Sequence, residues 1–183
     1  MKKRKMPTFL HPFFGEESTV FFIIFMLIFS MGMTLLTIYI SDYRFRVLEL
    51  YRKIILVALM LDIYAGMIAN FNPSTHDYYD KHPFLKKIFV LIHPHALIIP
   101  FLTLTEFRFG FYVYVLLVSA NVLVTFIKNR NHQEIIAIFF NLLAGFLLFA
   151  VFDLSTYVQI LYLSLVIKLI YAYSVEPVRG MKS

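Results

Sequence analysis

Residues 19–40 read TVFFIIFMLIFSMGMTLLTIYI, twenty-two residues without a charge or a proline. Wound as an α-helix at about 1.5 Å per residue, the stretch is ~33 Å long, enough to cross a hydrocarbon layer about 30 Å thick. The basic start Met1-Lys-Lys-Arg-Lys5 superficially resembles that of a secretory signal. The apolar run is about twice as long as a signal h-region, and no small-x-small cleavage site follows it, so the expectation is a retained first span.

Five further apolar blocks follow, at 54–71, 84–105, 110–127, 135–152 and 157–173. Together they predict an all-α, polytopic bundle of about six spans, with residues 1–183 forming a single integral membrane domain. Composition agrees. Apolar residues make up 60% of the chain and charged residues 15%, whereas a soluble domain carries roughly 45–50% and about 25%. The short link Asp153-Leu-Ser-Thr156 predicts that the last two helices are antiparallel neighbours.

The alternate segments beginning with the N-terminal tail carry eleven Lys and Arg, and the segments on the other side carry five. By the excess of basic residues on the inner side, both termini are expected in the cytoplasm. The first loop, with Arg44, Arg46, Arg52 and Lys53, pulls against that orientation. The net charge of +6 thus sits at the ends of apolar blocks, and no phosphate loop or zinc-finger spacing accompanies it, so nucleic acid is not an expected partner. The absence of cysteine excludes disulfides, thiolate nucleophiles, iron–sulfur clusters and cysteine-ligated zinc. No Gly-x-Ser-x-Gly nucleophile setting appears, and no pair of carboxylates shares the middle of a span.

Ionisable groups inside spans cost about 2.5–3.5 kcal/mol each, so every one needs a reason. Asp62 lies near the middle of the second block. Ala58, Asp62, Ala65 and Ala69 follow i, i+4, i+7, i+11, a small-residue face that predicts close approach of another helix. The third block contains Ile92-His-Pro-His-Ala96, placing His93 and His95 near mid-depth. Residues two apart face opposite sides of a regular helix, but Pro94 makes a kink or break physically reasonable there. Asp62, His93 and His95 are therefore the candidate ligand-binding or proton-relay residues, with Asp62 meeting one of the two histidines. Lys168 sits a turn or two from the end of the last block and is expected to snorkel toward the interface.

The connection after the second block predicts a short interfacial helix, with Ser74 and Asp77 at capping-box spacing. Within it His76, Asp80 and His82 are candidate metal ligands, His76 and Asp80 sharing a face at i, i+4.

Six spans in about 180 residues with both termini inside resemble, in size and topology alone, the vitamin-binding subunits of energy-coupling transporters. No motif carries the likeness and no residue is carried over from it. The expected function is a small transport or ligand-binding component of a plasma membrane, bacterial in character, with a mid-membrane polar pocket. The alternatives are a non-catalytic assembly, immunity or accessory protein with a protein partner in the membrane, and a histidine-ligated metal or haem enzyme. The sequence names no cofactor and leans away from an enzyme.

Overall fold

In lipid every main-chain N–H and C=O must be satisfied within the chain, which favours helices wherever apolar residues run on. The computed structural model, which describes residues 3–41, 43–82, 84–85, 89 and 94–175, is mostly helical over the described parts of these blocks. A short two-stranded piece, β1 (Lys3–Lys5) and β2 (Glu17–Thr19), brackets α1 (His11–Phe14). Then come α2 (Val20–Ser41), α3 (Tyr43–Arg46), α4 (Leu50–Ala69), α5 (Pro73–Lys81), α6 (His95–Thr103) and α7 (Phe107–Phe126). The last two helices, α8 (Arg130–Phe146) and α9 (Thr156–Val166), each continue into a widened π-helical turn, Leu147–Val151 and Ile167–Tyr173.

Among the described residues four helical stretches are long and apolar enough to cross a membrane: α2, α7, and α8 and α9 with their extensions. Counting α4 with α5, across a 92° bend, makes five. The third block expected from the sequence, 84–105, lies partly outside the described residues, and only its second half, α6, is seen as a continuous helix.

Burial and composition run opposite to each other. In α8 with its extension 17% of the apolar window is buried, and in α2 22%, yet these are the most apolar stretches. Phe21, Ile28, Leu35, Phe126 and Leu142 all stand exposed on the outside, a belt too large for a water-facing surface. α9 is the least apolar of the four stretches and the most buried, at 67%. A helix surrounded by protein meets partners on all sides, so it can carry Gln159, Ser164 and Lys168 inside the core without exposing them to lipid.

The bend between α4 and α5 starts at Asn72, whose side-chain oxygen accepts from the Ser74 amide at 3.2 Å, with Pro73 filling the first helical position. Asn72 therefore caps the helix in place of the expected Ser74–Asp77 box. Thr75 bonds the carbonyl of Phe13 and His76 that of Ala172. The N-terminal segment, the α4–α5 bend and the end of α9 thus share one end of the bundle, called the cap end below.

Candidate functional site

α4 carries Asp62 seven residues before its cap-end terminus, roughly 10 Å along the axis. The buried stripe of α4 runs through Leu56, Met60, Ile63, Gly66 and Ala69. Asp62 lies at its rim, with a side chain 34% exposed, and Ala58 is exposed. The close approach predicted along Ala58, Asp62, Ala65 and Ala69 is instead centred on Gly66. There the stem of Lys168 crosses α4, and a Cβ built on Gly66 would fall 2.4 Å from Lys168 Cε.

Lys168 does not snorkel. It is 2% exposed and places Nζ 2.7 Å from Asp62 Oδ2 and 3.3 Å from the Asp62 carbonyl. The expectation failed because α9 is the central helix, where the ammonium finds a carboxylate partner in Asp62 before it reaches an interface. His95 Nε2 approaches the same carboxylate oxygen at 3.0 Å. One oxygen of Asp62 is therefore shared by an ammonium and an imidazole from two other helices. His93 lies outside the described residues.

The position of His95 follows from two prolines and one glycine. Pro94 stands as the residue before α6, and His95 is the first helical position. Further along, Pro100 lacks the N–H that would bond the carbonyl of Ala96 four residues back. That carbonyl accepts instead from the Tyr162 hydroxyl of α9 at 3.2 Å. Gly110 allows the approach: a Cβ there would lie 2.4 Å from Ala96 O and 2.6 Å from Pro100 Cγ. The start of α6 is thus clamped between α7 and α9, with its positive helix end at the depth of the carboxylate.

Lys168 is placed by a comparable device. It belongs to the π-helical turn Ile167–Tyr173, whose carbonyls are poorly disposed for α-helical bonds. Side chains from neighbouring helices bond them. Asn70 donates to Lys168 O at 3.3 Å, Asn121 to Leu169 O at 3.4 Å, and His76 to Ala172 O at 3.0 Å. Asn121 also bonds Ser174, which itself donates to Leu169 O at 2.7 Å. Asn70 is a position that the sequence reading missed, its signal an amide beside an apolar face; Asn121 was expected to bond between the fourth and fifth blocks and instead bonds the turn of the last one.

The three candidate metal ligands do not converge. His76 is buried, with its ring turned to main-chain carbonyls. His82 donates from Nδ1 to the Tyr78 carbonyl at 2.8 Å and lies against the Tyr78 ring. Among the described residues no group of three or more His, Asp or Glu is placed to hold a metal ion.

A cavity of about 100 Å³ reaches the site from the cap end, lined by Asp62, Gly66, Ala69, Asn70 and Lys168 inside and by Pro12, Phe13, Tyr79 and Phe89 further out. Set beside known proteins, the chain matches no family model, no curated protein and no solved structure.

Proposed function

We propose that this chain is a small multi-pass transport component of a plasma membrane, with six spans and the cap end in the cytoplasm, and that Asp62, His95 and Lys168 bind and release a proton at mid-depth. The sixth span in this reading is the block 84–105, of which α6 is the outer half. The orientation rests on the eleven-to-five division of Lys and Arg in the sequence.

One observation carries the proposal: Asp62 Oδ2 is shared between Lys168 Nζ and His95 Nε2. With Asp62 ionised, Lys168 charged and His95 neutral, the triad is electrically neutral. An added proton either converts His95 to imidazolium or, transferred over 3.0 Å, neutralises Asp62 and leaves Lys168 without a counter-charge. Either result changes which partner holds the carboxylate, the two-state behaviour that a coupled carrier needs. The cavity favours a proton, water or small ion over an organic ligand, because its volume of about 100 Å³ falls below the ~300–1,000 Å³ of drug-sized sites.

The protein reconstituted in vesicles loaded with a pH-sensitive dye tests this. Under an imposed membrane potential, proton entry should exceed that of empty vesicles, disappear in Asp62→Asn and slow in His95→Ala. Vesicles no leakier than empty ones, with Asp62→Asn indistinguishable from the parent, would move the assignment to a non-catalytic assembly or accessory protein.

A further inference from the structure

The segment 3–19, KRKMPTFLHPFFGEEST, is too short and polar to span a membrane, yet it is folded and fastened. β1 pairs antiparallel with β2 in the register Lys3–Thr19, Arg4–Ser18 and Lys5–Glu17, closing the segment on itself. α5 then holds it mainly through its own side chains, which reach the segment's main chain. Thr75 Oγ1 donates to Phe13 O at 3.2 Å, Asn72 Nδ2 to Phe14 O at 3.2 Å, and the Tyr79 hydroxyl to Pro12 O at 3.4 Å. In return the Glu17 amide donates to Ser74 Oγ at 3.3 Å, and Glu16 pairs with Lys81 at 2.7 Å.

Two residues fix the depth of the segment. Phe14 is buried against Met26 and Ala69, which ties it to the wall of the cavity. Gly15 turns the chain at φ +70°, and a Cβ there would lie 2.2 Å from Ser74 O. Only glycine supplies both that conformation and that clearance. The consequence is that Pro12 and Phe13 stand across the outer end of the cavity whose inner end is Asp62 and Lys168.

We infer that residues 3–19 form a plug that controls the access of water and protons from the cap end to Asp62. The inference rests on the proton-binding reading for its purpose, but not for its test. The plug runs into α2 and is held by part-buried bonds from Asn72, Thr75 and Tyr79, two exposed ones, and a small apolar contact centred on Phe14 with Met6 and Leu10 beside it. Those are the marks of a segment that opens locally while the bundle stays folded. Opening would bring bulk water to the outer end of the cavity whose inner end is Asp62.

Because the chain has no cysteine, Ala69→Cys places a single thiol on the cavity wall beneath the plug. Its reaction with a membrane-impermeant, cationic methanethiosulfonate applied from the cap end reads access directly. The expected reaction is slow in the otherwise unchanged protein and roughly tenfold faster when combined with Gly15→Ala or, separately, with Phe14→Ala. A thiol at Val57→Cys, far from the plug on α4, should show no such acceleration and controls for general unfolding. Equal rates at Ala69→Cys with and without the plug substitutions overturn the inference. Failure of the proton reading looks different: labelling accelerates as expected, yet no variant conducts protons in vesicles.

Discussion

The imidazole of His76 bonds two main-chain carbonyls at once, that of Asn70 at 2.8 Å and that of Ala172 at 3.0 Å. Both partners can only accept, so Nε2 carries the proton and shares it between them. The ring joins the end of α4 to the widened turn of α9, on which Lys168 sits. His76→Ala should lower stability by about 1–3 kcal/mol, the cost of leaving buried acceptors without a donor. Thermal unfolding in detergent measures it, and His76→Gln, which restores an N–H donor, should recover part of the loss.

Breaking the Asp62–Lys168 pair should cost more than removing it. Lys168 is 2% exposed, so Asp62→Asn leaves a buried ammonium facing a neutral amide, at a cost of about 3 kcal/mol or more. Replacing both residues, Asp62→Asn with Lys168→Met, removes the stranded charge. The double variant is expected to unfold at a higher temperature than Asp62→Asn alone. A double variant no more stable than Asp62→Asn would show that the two side chains are not coupled.

The glycines within α2, α4, α7 and α8 divide into two groups that alanine scanning separates. Gly66→Ala and Gly110→Ala place a methyl group 2.4 Å from Lys168 Cε and from Ala96 O respectively, and each should destabilise by about 1–3 kcal/mol through overpacking. Gly110 should be the worse of the two, since its obstacle is backbone and not a movable side chain. Gly32→Ala and Gly145→Ala meet nothing within 4 Å and should be neutral or mildly stabilising. Melting temperatures of the four variants, compared in one detergent, check the order.

Docking of the N-terminal segment should weaken in acid. The Glu16 carboxyl is held below its ordinary value of 4.5, first by the hydrogen bond from Lys81 and then by that ammonium's charge. A depressed carboxyl supports docking above 4.5 and ceases to do so as pH falls through its lowered value. Both side chains are about half exposed, so the effect is local and small. Amide exchange in β1 and β2, followed downward from neutral pH, should speed up below about 4.5 beyond its intrinsic pH trend. In Glu16→Gln it should be faster at neutral pH and lack the added acid step.

Helices were legible because apolar blocks are long and their polar ends abrupt: 19–40 became Val20–Ser41 and 110–127 became Phe107–Phe126. Where a helix begins polar, the blocks started late. α4 starts at Leu50 and not at 54, because Arg52 and Lys53 find carbonyl partners at Phe101 and Arg46. α8 starts at Arg130 and not at 135, with Asn129 accepting from the amides of Asn131 and His132, a cap its residue type announces. Counting depth along two antiparallel helices set Asp62 and His95 level, and their side chains lie 3.0 Å apart. Depth can be counted in a sequence, but azimuth around the bundle cannot. Hence Lys168 was assigned to the interface, and His76, whose partner Ala172 lies 96 residues away, to a metal site on a short interfacial helix. The basic N-terminal segment gave no apolar signal, and its folding depends on acceptors and donors supplied by α5.

A turn closed by i→i+5 bonds holds one residue more than an α-helical turn, so Ile167–Tyr173 behaves as a helix with a spare link. Removing one residue between positions 169 and 172 takes out that link and lets the turn close as ordinary α-helix with both flanks still in phase. Lys168 would stay against Asp62 and Tyr173 on its stack with Phe89, now 4.2 Å between ring centres. The same deletion inside the regular part, Thr156–Val166, has no slack to draw on and would turn one side of the cut by about 100° against the other. Within this one helix, the damage done by a single-codon deletion depends on which side of Val166 it falls.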